Sequence, residues 1–448
     1  MNLHNMKILV IGLGKTGIAT ARFLLRQGAG VTITDEKSFS EFEDTVKDLK
    51  SLSRNVEFAG YDLNALSGMN MVIPSPGVPP SNFLISEATK RNIPIISEIE
   101  LACRFLKTPV IAITGTNGKT TTTTLVGNIL SEAGKGVFVG GNIGNPLIGY
   151  VDEKQDADYA VVEVSSFQLQ WIQQFRPHVS ILLNTTCDHV DYHGSFEVYR
   201  TIKERIFENQ TNHDLAVLNG NDPHTTSLKK KLAAGVLLFS TTTQVEDGMF
   251  LDRDRLIFKG PDGIREDYPL EMIKIPGLHN MENCMASIMA ARFCGCSPAH
   301  IRRAIENFRG IAHRIEFAAE KRGVKFYDDS KGTNVGAVVR ALESFSQPII
   351  LLLGGRDKEG DFETLSPLIK SKVKEMLLFG EARQRINDLI GGIVKTTSVA
   401  TLKEAIETAQ RKAVSGDIVL LSPGCASFDE FSNYKERGEF FKDVVRNL

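Results

Sequence analysis

The sequence predicts an α/β protein with parallel β-sheets, divided into about three domains. Its 448 residues exceed what one hydrophobic core usually holds, since single cores rarely grow past roughly 250 to 300 residues. Short apolar runs alternate with helical patterns along the chain, which is typical of strands joined by helices. Several of these runs lead into glycine-rich or polar turns, where α/β folds bind ligands. The same observations therefore predict the fold class and the candidate sites.

The predicted strands are apolar over their whole length rather than alternating. Strands of parallel sheets show this pattern because helices cover both faces. Residues 252–267 differ, since they are dense in charge and glycine, and we expect an antiparallel edge of the middle domain there. The predicted parallel strands are residues 7–11, 31–34, 71–73, 110–114, 159–164, 179–183, 349–353, 376–379 and 418–421.

Signals for the start and end of two helices mark the predicted domain boundaries. Ser97 and Glu100 have the spacing of a capping box, which would open a helix to about residue 106 before Pro109 breaks it. Pro298 begins a second helix, which Gly310 ends. We therefore expect domains at residues 1–99, 100–309 and 310–448.

Composition excludes several classes of partner. Lysine and arginine, 52 together, nearly balance 54 aspartates and glutamates, and the formal charge is -2. No basic field is available to hold nucleic acid or anionic lipid, so small-molecule substrates are favoured. The apolar runs are far shorter than the ~20 residues that span a bilayer, and the amino terminus does not have the pattern of a secretory signal. We expect a cytoplasmic protein without membrane insertion.

The six cysteines show no C-x-x-C pair. Neither a disulfide framework nor a zinc ribbon is indicated by their spacing.

A phosphate-binding loop is predicted at residues 115–120, between the strand 110–114 and a helix. Its glycines would let backbone N–H groups face phosphates at the amino end of that helix. Lys119 can neutralise the β- and γ-phosphate oxygens, and the Thr120 hydroxyl can coordinate magnesium. Ile113 stands where the usual loop has its first glycine, so the loop is a shortened variant. ATP with Mg²⁺ is the predicted ligand.

A second glycine signature, at residues 12–17, follows the first predicted strand. Asp35 ends the next strand, at a spacing that fits a dinucleotide fingerprint. The residues alone leave three interpretations open: a nicotinamide or flavin site, another nucleotide-like ligand, or a structural turn.

Acidic and histidine side chains follow two further predicted strands of the middle domain. Glu163 could hold magnesium, although it could also cap a helix. His189 beside Asp188 could bind metal or move a proton, although such a pair is more often a loop contact. His193 is expected at the surface. The charges of the amphipathic helix 200–209, which include Lys203, are expected to be solvated.

Three polar loops of the last third lie where a parallel sheet presents its binding edge: residues 328–334, 354–358 and 422–429. Lys331, Lys358 and Ser427 suit a nucleotide phosphate and a substrate carboxylate, because ammonium and hydroxyl groups are natural partners of such oxygens. Together these loops predict a second ligand-binding edge.

The order of these motifs resembles that of the Mur ligases of bacterial cell-wall synthesis. The resemblance covers nearly the whole chain. It rests on GTNGKT at residues 115–120, GGNIG at 140–144, EVSSFQL at 163–169, DH at 188–189, LHNMEN at 278–283, HR at 313–314, DSKGTN at 329–334 and LSPGCAS at 421–427. It implies a Rossmann-like amino-terminal domain, a central P-loop ATPase and a Rossmann-like carboxyl-terminal domain.

The resemblance also implies the ligands of the chain. In the branch of the family that adds D-glutamate to UDP-N-acetylmuramoyl-L-alanine, the first glycine turn binds the substrate's diphosphate, so no redox cofactor is expected. The rival interpretation, an NAD-dependent oxidoreductase, does not explain the phosphate loop. Other amide ligases of the same superfamily, and a nucleotide-binding regulator without ligation, are the remaining alternatives.

Site residues can be assigned one by one from the resemblance. Those implied for the UDP-linked substrate are Gly14, Lys15, Thr16, Asp35, Glu36, Pro76, Gly77 and Asn142. Those implied for ATP are Gly115, Thr116, Asn117, Gly118, Lys119, Thr120, Thr121, Asn280, Asn283, Arg314, Asp329 and Lys331. Those implied for D-glutamate are His189, Thr333, Lys358, Ser427, Phe428 and Tyr434.

The implied catalytic residues are Lys119, Glu163, His189 and Lys203. Thr120 and Glu163 would bind one Mg²⁺, and His189 would bind a second Mg²⁺. Lys203 stands where the family carries a lysine carbamylated by CO₂, which converts a cation into a carboxylate-like metal ligand. The implied reaction passes through an acyl phosphate, and the expected assembly is a monomer.

Overall fold

The computed structural model describes residues 1–186, 190–261, 263–357 and 360–448. The chain divides into two compact units. The first comprises Met1–Met272 and Glu282–Glu306, and the second comprises Ile273–Met281 and Asn307–Leu448.

The first unit begins with a four-stranded sheet in the order β3-β2-β1-β4, all of whose neighbours pair in parallel. Apolar strands alternate with helices, and α1 and α2 each bury one face in the apolar core. The elements are β1 (Lys7–Ile11), α1 (Lys15–Arg26), β2 (Gly30–Thr34), α2 (Glu43–Leu52), β3 (Val56–Phe58), β4 (Met71–Pro74), α3 (Phe83–Lys90) and α4 (Glu98–Cys103).

The glycine turn between β1 and α1 depends on close backbone approach. Gly12 has φ +90°, a conformation that other residues rarely adopt. A Cβ at Gly17 would lie 2.0 Å from the Gly12 carbonyl oxygen, so α1 can pack against the turn only with glycine there. At Gly14 the space around a Cβ is open.

We predict that Gly17→Ala lowers the free energy of unfolding by about 1–3 kcal/mol, because its methyl group overlaps the turn. Gly14→Ala is the matched control and should cost less than about 1 kcal/mol, since Gly14 has φ -68° and open space around it. Urea denaturation measures both values. Equal losses in the two variants would contradict the argument.

The central sheet of the first unit has nine strands among the described residues, in the order β13-β12-β11-β10-β9-β8-β5-β7-β6. Neighbours from β11 to β6 pair in parallel, and β12 and β13 add an antiparallel edge. The elements up to the edge strands are β5 (Val110–Thr114), α5 (Lys119–Glu132), β6 (Val137–Gly141), α6 (Leu147–Val151), β7 (Tyr159–Glu163), α7 (Ser166–Leu169), β8 (Val179–Leu182), α8 (Val190–His193), α9 (Phe196–Glu204), β9 (Leu215–Asn219), α10 (Pro223–Leu228) and β10 (Gly235–Ser240). The edge and the two helices after it are β11 (Gly248–Asp252), β12 (Arg255–Lys259), β13 (Arg265–Pro269), α11 (Leu278–Phe293) and α12 (Pro298–Asn307).

Helix α4 begins where the sequence predicted, but the predicted capping box does not form. The Ser97 side chain makes no capping hydrogen bond. Glu100 turns away to accept the backbone N–H groups of residues 173–175 and to pair with Arg104 at 2.8 Å. Glu98 accepts the Ile148 N–H at 2.7 Å. Both carboxylates therefore hold other segments in place, which satisfies buried backbone donors.

Burial of Glu98 predicts a pH-dependent stability. Burial raises the pKa of its carboxyl from 4.5 to about 7. Between these values the folded protein keeps a proton that the unfolded chain releases, so the free energy of unfolding falls as pH rises from about 4.5 to 7. Glu98→Gln cannot ionise and should melt several degrees above the parent at pH 8, with a smaller difference at pH 5.5. Thermal denaturation over this pH range measures it.

The matched control for that prediction is Glu100→Gln. It keeps one acceptor oxygen but loses the negative charge that strengthens three backbone hydrogen bonds and pairs with Arg104, so it should lower the melting temperature. A stability difference at Glu98→Gln that does not vary with pH would overturn the assignment.

The second unit contains a six-stranded sheet in the order β14-β15-β19-β16-β17-β18. Its strands pair in parallel except for the edge pair β14 and β15. Helices cover both faces, over two separate apolar clusters. The elements are β14 (Glu316–Lys321), β15 (Val324–Asp328), α13 (Val335–Glu343), β16 (Ile349–Gly354), α14 (Ser366–Lys372), β17 (Val373–Phe379), α15 (Arg383–Ile390), β18 (Lys395–Ser398), α16 (Leu402–Lys412), β19 (Ile418–Gly424) and α17 (Tyr434–Arg446).

The predicted fold class is confirmed. All nine predicted parallel strands are present, and residues 255–269 form the antiparallel edge. Seven further strands were not predicted from the sequence, at residues 56–58, 137–141, 215–219, 235–240, 316–321, 324–328 and 395–398. Within the described part of the chain, no helix has both the length and the apolar character needed to cross a bilayer.

Candidate active site

The phosphate loop joins the carboxyl end of β5 to the amino end of α5. Gly115 has φ +152° and Gly118 has φ +86°, so both glycines supply conformations that other residues rarely adopt. Asn184, at the end of β8, holds the loop on both sides: its Oδ1 accepts the Asn117 N–H at 2.9 Å, and its Nδ2 donates to the Asn117 carbonyl at 3.1 Å. The loop is therefore shaped before any ligand binds.

Lys119 lies across its own loop. Its Nζ donates to the carbonyl oxygens of Gly115 and Thr116, each at 3.0 Å. This places the ammonium inside the ring of backbone atoms, where the charge of a bound phosphate would be neutralised. Its proposed contact with phosphate stays a prediction.

Glu163 lies at the carboxyl end of β7 and contacts two other predicted site residues. Its Oε2 accepts the Thr120 hydroxyl at 2.8 Å, and its Oε1 accepts the Asn142 side-chain amide at 2.8 Å. The Glu163 carboxylate is almost fully buried. A hydroxyl and a carboxylate so close together form the oxygen-rich donor set that Mg²⁺ prefers.

Lys203 contradicts the expectation that the charges of its helix are solvated. Its side chain is 1% exposed, and its Nζ donates to the Gly115 carbonyl at 2.9 Å. The ring of Tyr199 lies 4.7 Å from Nζ, and the Tyr199 hydroxyl is 3.1 Å from that of Thr116. Helix α9 is amphipathic, but its lysine points inward because the phosphate loop provides carbonyl acceptors for it.

His193 is buried rather than at the surface. Its Nε2 lies 2.9 Å from the Ser166 hydroxyl, among the rings of Phe167, Tyr192 and Tyr199. The predicted site residues Asp188, His189 and Lys358 lie outside the described residues.

Four of the eight residues predicted for the UDP-linked substrate lie at the glycine turn after β1 or bond to it: Gly14, Lys15, Thr16 and Asp35. Asp35 accepts the Leu13 N–H at 2.7 Å, so its carboxylate also stabilises the turn. Lys15 reaches the Gly144 carbonyl and, at 3.2 Å, the Asn145 side chain. Glu36 accepts the Tyr61 hydroxyl at 3.1 Å. The remaining residues predicted for this site are Gly14 and Thr16 at the start of α1, Pro76 and Gly77 after β4, and Asn142 after β6.

In the second unit, the loop after β15 is held against the loop at the end of β19. Asp329 is buried, and its Oδ2 accepts the Ser422 hydroxyl at 2.7 Å. Burial raises the pKa of Asp329 to about 7, although the nearby positive charge of Arg314 acts in the opposite direction. The two predicted loops therefore share a hydrogen bond below their surface.

The predicted nucleotide and amino-acid residues meet at Lys331 and Tyr434. The Lys331 Nζ lies 3.9 Å from the centre of the Tyr434 ring, a cation–π contact. Thr333 follows in the same loop. Ser427 is buried and Phe428 is exposed, so these neighbours point in different directions.

Helix α11 carries the two predicted asparagines. Asn280, in the second unit, donates to the Pro276 carbonyl at 2.6 Å. Asn283, in the first unit, accepts the Thr122 hydroxyl at 3.3 Å. A Cβ at Gly118 would lie 2.3 Å from the Asn283 Oδ1, so this side chain packs on the phosphate loop.

Three contributors were not predicted from the sequence: the hydrogen bonds of Asn184 to the loop, the contact of Tyr199 with Thr116, and the buried Arg437. Asn184 could have been found, because it follows a parallel strand at the binding edge. The other two lie on helices, where their patterns look like an ordinary core aromatic and a surface charge.

Three successive segments of the chain match models of Mur ligase domains. Residues 6–97 match the model described as "Mur ligase MurD-like, N-terminal domain". Residues 113–291 match the "Mur ligase middle domain", and residues 313–425 match the "Mur ligase, glutamate ligase domain".

Curated relatives are similar along the whole chain. A UDP-N-acetylmuramoylalanine--D-glutamate ligase of Syntrophus aciditrophicus is 60% identical, covering 100% of this chain and 99% of the relative. An enzyme of the same name from Geotalea daltonii is 45% identical, with coverage of 100% and 99%.

Solved structures share the fold at low identity. UDP-N-acetylmuramate-alanine ligase MurC of Thermotoga maritima has a TM-score of 0.58 at 20% identity, covering 99% of this chain and 100% of that one. MurF ligase of the same organism, in complex with ADP, has a TM-score of 0.60 at 17% identity, covering 99% and 96%. Since the curated similarity runs from one end of the chain to the other at up to 60% identity, this protein belongs to the Mur ligase family.

Proposed function

We propose that this protein joins D-glutamate to UDP-N-acetylmuramoyl-L-alanine in peptidoglycan precursor synthesis, converting ATP to ADP and phosphate. The observation that carries the proposal is the meeting of Lys119, Glu163 and Lys203 around one phosphate loop. A P-loop alone would serve any of many NTPases. A buried lysine on the loop carbonyl, in a chain 60% identical to an enzyme of this name, favours the ligase.

The first chemical step would be attack of the alanyl carboxylate on the γ-phosphorus of ATP. The carboxylate oxygen forms the new bond, ADP leaves, and the product is an acyl phosphate. Lys119 would lie beside the transferred group and balance its charge, and the backbone N–H groups at the start of α5 would orient it.

The second step would be attack of the D-glutamate amine on the acyl carbonyl. A tetrahedral oxyanion forms, phosphate leaves, and the amine loses a proton as the amide forms. Because acyl phosphates hydrolyse, the site must exclude water during this interval. The burial of Glu163 and Lys203 supports a site of that kind.

Magnesium fits the donor set at Thr120 and Glu163, whose oxygens already share one hydrogen bond. When bound there, Mg²⁺ would withdraw charge from the phosphoryl oxygens. A second ion held by His189 and a carbamylated Lys203 completes the proposal.

Carbamylation of Lys203 would require a neutral amine that adds CO₂ and releases a proton. The proposal therefore requires surroundings in which the charged ammonium is disfavoured. The resulting N–H could still donate to the Gly115 carbonyl, and the new carboxylate would add two acceptor oxygens for metal.

The proposed ligand sites rest on the resemblance to the family. We propose that the phosphate loop binds ATP. The other proposed ATP-binding residues are Asn280, Asn283, Arg314, Asp329 and Lys331. D-Glutamate would contact Thr333, Ser427, Phe428 and Tyr434, together with His189 and Lys358. The close approach of Lys331 to Tyr434 supports neighbouring nucleotide and amino-acid sites.

We further propose domains at residues 1–99, 100–309 and 310–448, a monomeric assembly and a cytoplasmic location. Size-exclusion chromatography with light scattering would test the monomer.

The function is tested by phosphate release. The purified protein is incubated with ATP, Mg²⁺ and UDP-N-acetylmuramoyl-L-alanine, and D-glutamate, L-alanine or a diamino acid is added singly. Phosphate release with D-glutamate alone supports the proposal. Equal release with the other amino acids would indicate another amide ligase, and ATP binding without release would indicate a nucleotide-binding regulator.

A further inference from the structure

Arg437 is the bulkiest of the fully buried side chains in the described part of the protein. It lies in the first turn of α17 and is 1% exposed. Arginine is almost never fully buried unless its donors are satisfied, since desolvating a charge is costly. Its position therefore needs a specific explanation.

The guanidinium bonds two loops at once. On the loop after β15, Nε donates to the Ser330 hydroxyl and Nη2 to the Ser330 carbonyl, both at 2.9 Å. On the loop at the end of β19, Nη2 donates to the Cys425 carbonyl at 3.1 Å and Nη1 to the Ala426 carbonyl at 3.2 Å. Each of these acceptors is neutral. The planar fork of arginine can serve all four directions, which the single ammonium of lysine cannot.

These two loops carry the residues proposed for ATP and D-glutamate. Ser330 lies between Asp329 and Lys331, and Ala426 precedes Ser427. Ser330 also donates its hydroxyl hydrogen to the Tyr434 carbonyl at 2.8 Å, which adds the start of α17 to the same network. One side chain thus connects three segments of the proposed site.

The bonds from Arg437 also orient backbone groups. The Ala426 carbonyl faces Arg437, and in a trans peptide the N–H of the next residue points the opposite way. The Ser427 N–H is therefore directed away from the guanidinium. Burial lowers the pKa of Arg437 to about 10, which leaves it charged at neutral pH. The positive charge of Arg437 makes the electrostatic potential near both loops more favourable for anions.

We propose that Arg437 is a positioning residue: it holds the loops 329–334 and 424–428 in the one arrangement that binds ATP phosphate and the carboxylates of D-glutamate. The inference rests on the proposed function, because it needs both ligands to bind these loops. A merely stabilising role of Arg437 would have a different effect: its loss would lower the amount of active protein without changing the affinity for substrates.

Steady-state kinetics separate the two roles. Arg437→Lys keeps the charge but loses the fork, and we expect KM for D-glutamate and for ATP to rise about tenfold, as loss of one buried hydrogen bond would produce. KM for UDP-N-acetylmuramoyl-L-alanine should stay within about twofold, because its proposed residues lie in the first unit. Arg446→Met, an exposed position of the same helix, is the control and should change none of the three.

Hydrogen exchange of the unliganded full-length protein tests the positioning without relying on activity. In Arg437→Lys, amide exchange should accelerate in both residues 329–334 and residues 424–428. If Arg437→Met folds, it should show a larger effect. If it does not, Ser330→Ala removes one acceptor and should accelerate exchange in the same two segments.

Two results would overturn the proposal. One is a fall in kcat with KM for ATP and D-glutamate unchanged in Arg437→Lys. The other is faster exchange confined to α17. Should the parent protein release no phosphate with D-glutamate, the proposed function fails, and the exchange data still decide whether Arg437 holds the loops.

Discussion

Lys119→Met should reduce D-glutamate-dependent phosphate release by about 100- to 1,000-fold, the usual cost of removing one preorganised donor from a developing anion. Lys119 is the cation within the phosphate loop, and its Nζ lies 3.0 Å from two loop carbonyls. Methionine has a similar length without the charge. The loss should therefore appear mainly in kcat, since the phosphoryl group gains charge contacts in the transition state.

The control for this prediction is Lys135→Met, just after the same helix, where the ammonium lies 5.4 Å from the Tyr159 ring. It should retain nearly full activity. Melting temperatures of both variants would show whether the loop remains folded. A Lys119→Met protein that is folded and retains more than about a tenth of the parent rate would contradict the assigned role.

Lys203→Ala should lower the rate by about 100-fold or more, comparable to loss of a metal-supporting group. The lysine is buried against the Gly115 carbonyl, so alanine leaves a cavity beside the loop. If the active form is the carbamate, a small carboxylic acid that enters this cavity should restore part of the rate. Lys203→Arg should not respond to the acid, because its side chain fills the space.

Carbon-13 NMR with labelled bicarbonate measures the carbamate directly. One carbamate signal should be present in the parent protein and absent from Lys203→Ala. Lys231→Ala, at an exposed lysine, should keep both the signal and the activity. An active parent without the signal would rule out carbamylation but leave a role for the amine.

Local sequence patterns predicted the elements that place the site. The run at residues 110–114 is buried along its whole length, and the loop after it has left-handed glycine conformations where glycines stand. These features depend on residues that are close together in the sequence, so local patterns can predict them. The edge strand at residues 395–398 was missed because it is short, polar and only partly buried.

Side-chain roles that depend on distant contacts were harder to predict. The pattern of the helix at residues 200–209 predicts solvated charges, and only the resemblance to a known family points to Lys203. His193 was expected at the surface and is buried beside Ser166. Periodicity shows which face of a helix is polar, but it does not show whether that polar group meets water or a buried carbonyl.

The sequence by itself determined the α/β class, the parallel strands and the phosphate loop, because apolar runs and glycine conformations act over a few residues. Tertiary structure alone decided which charges are buried and what they hold. Lys203 meets a carbonyl 88 positions away, and Arg437 meets Ser330 across 107 positions. At such separations the fold, rather than the local pattern, provides the partners that make a buried cation stable.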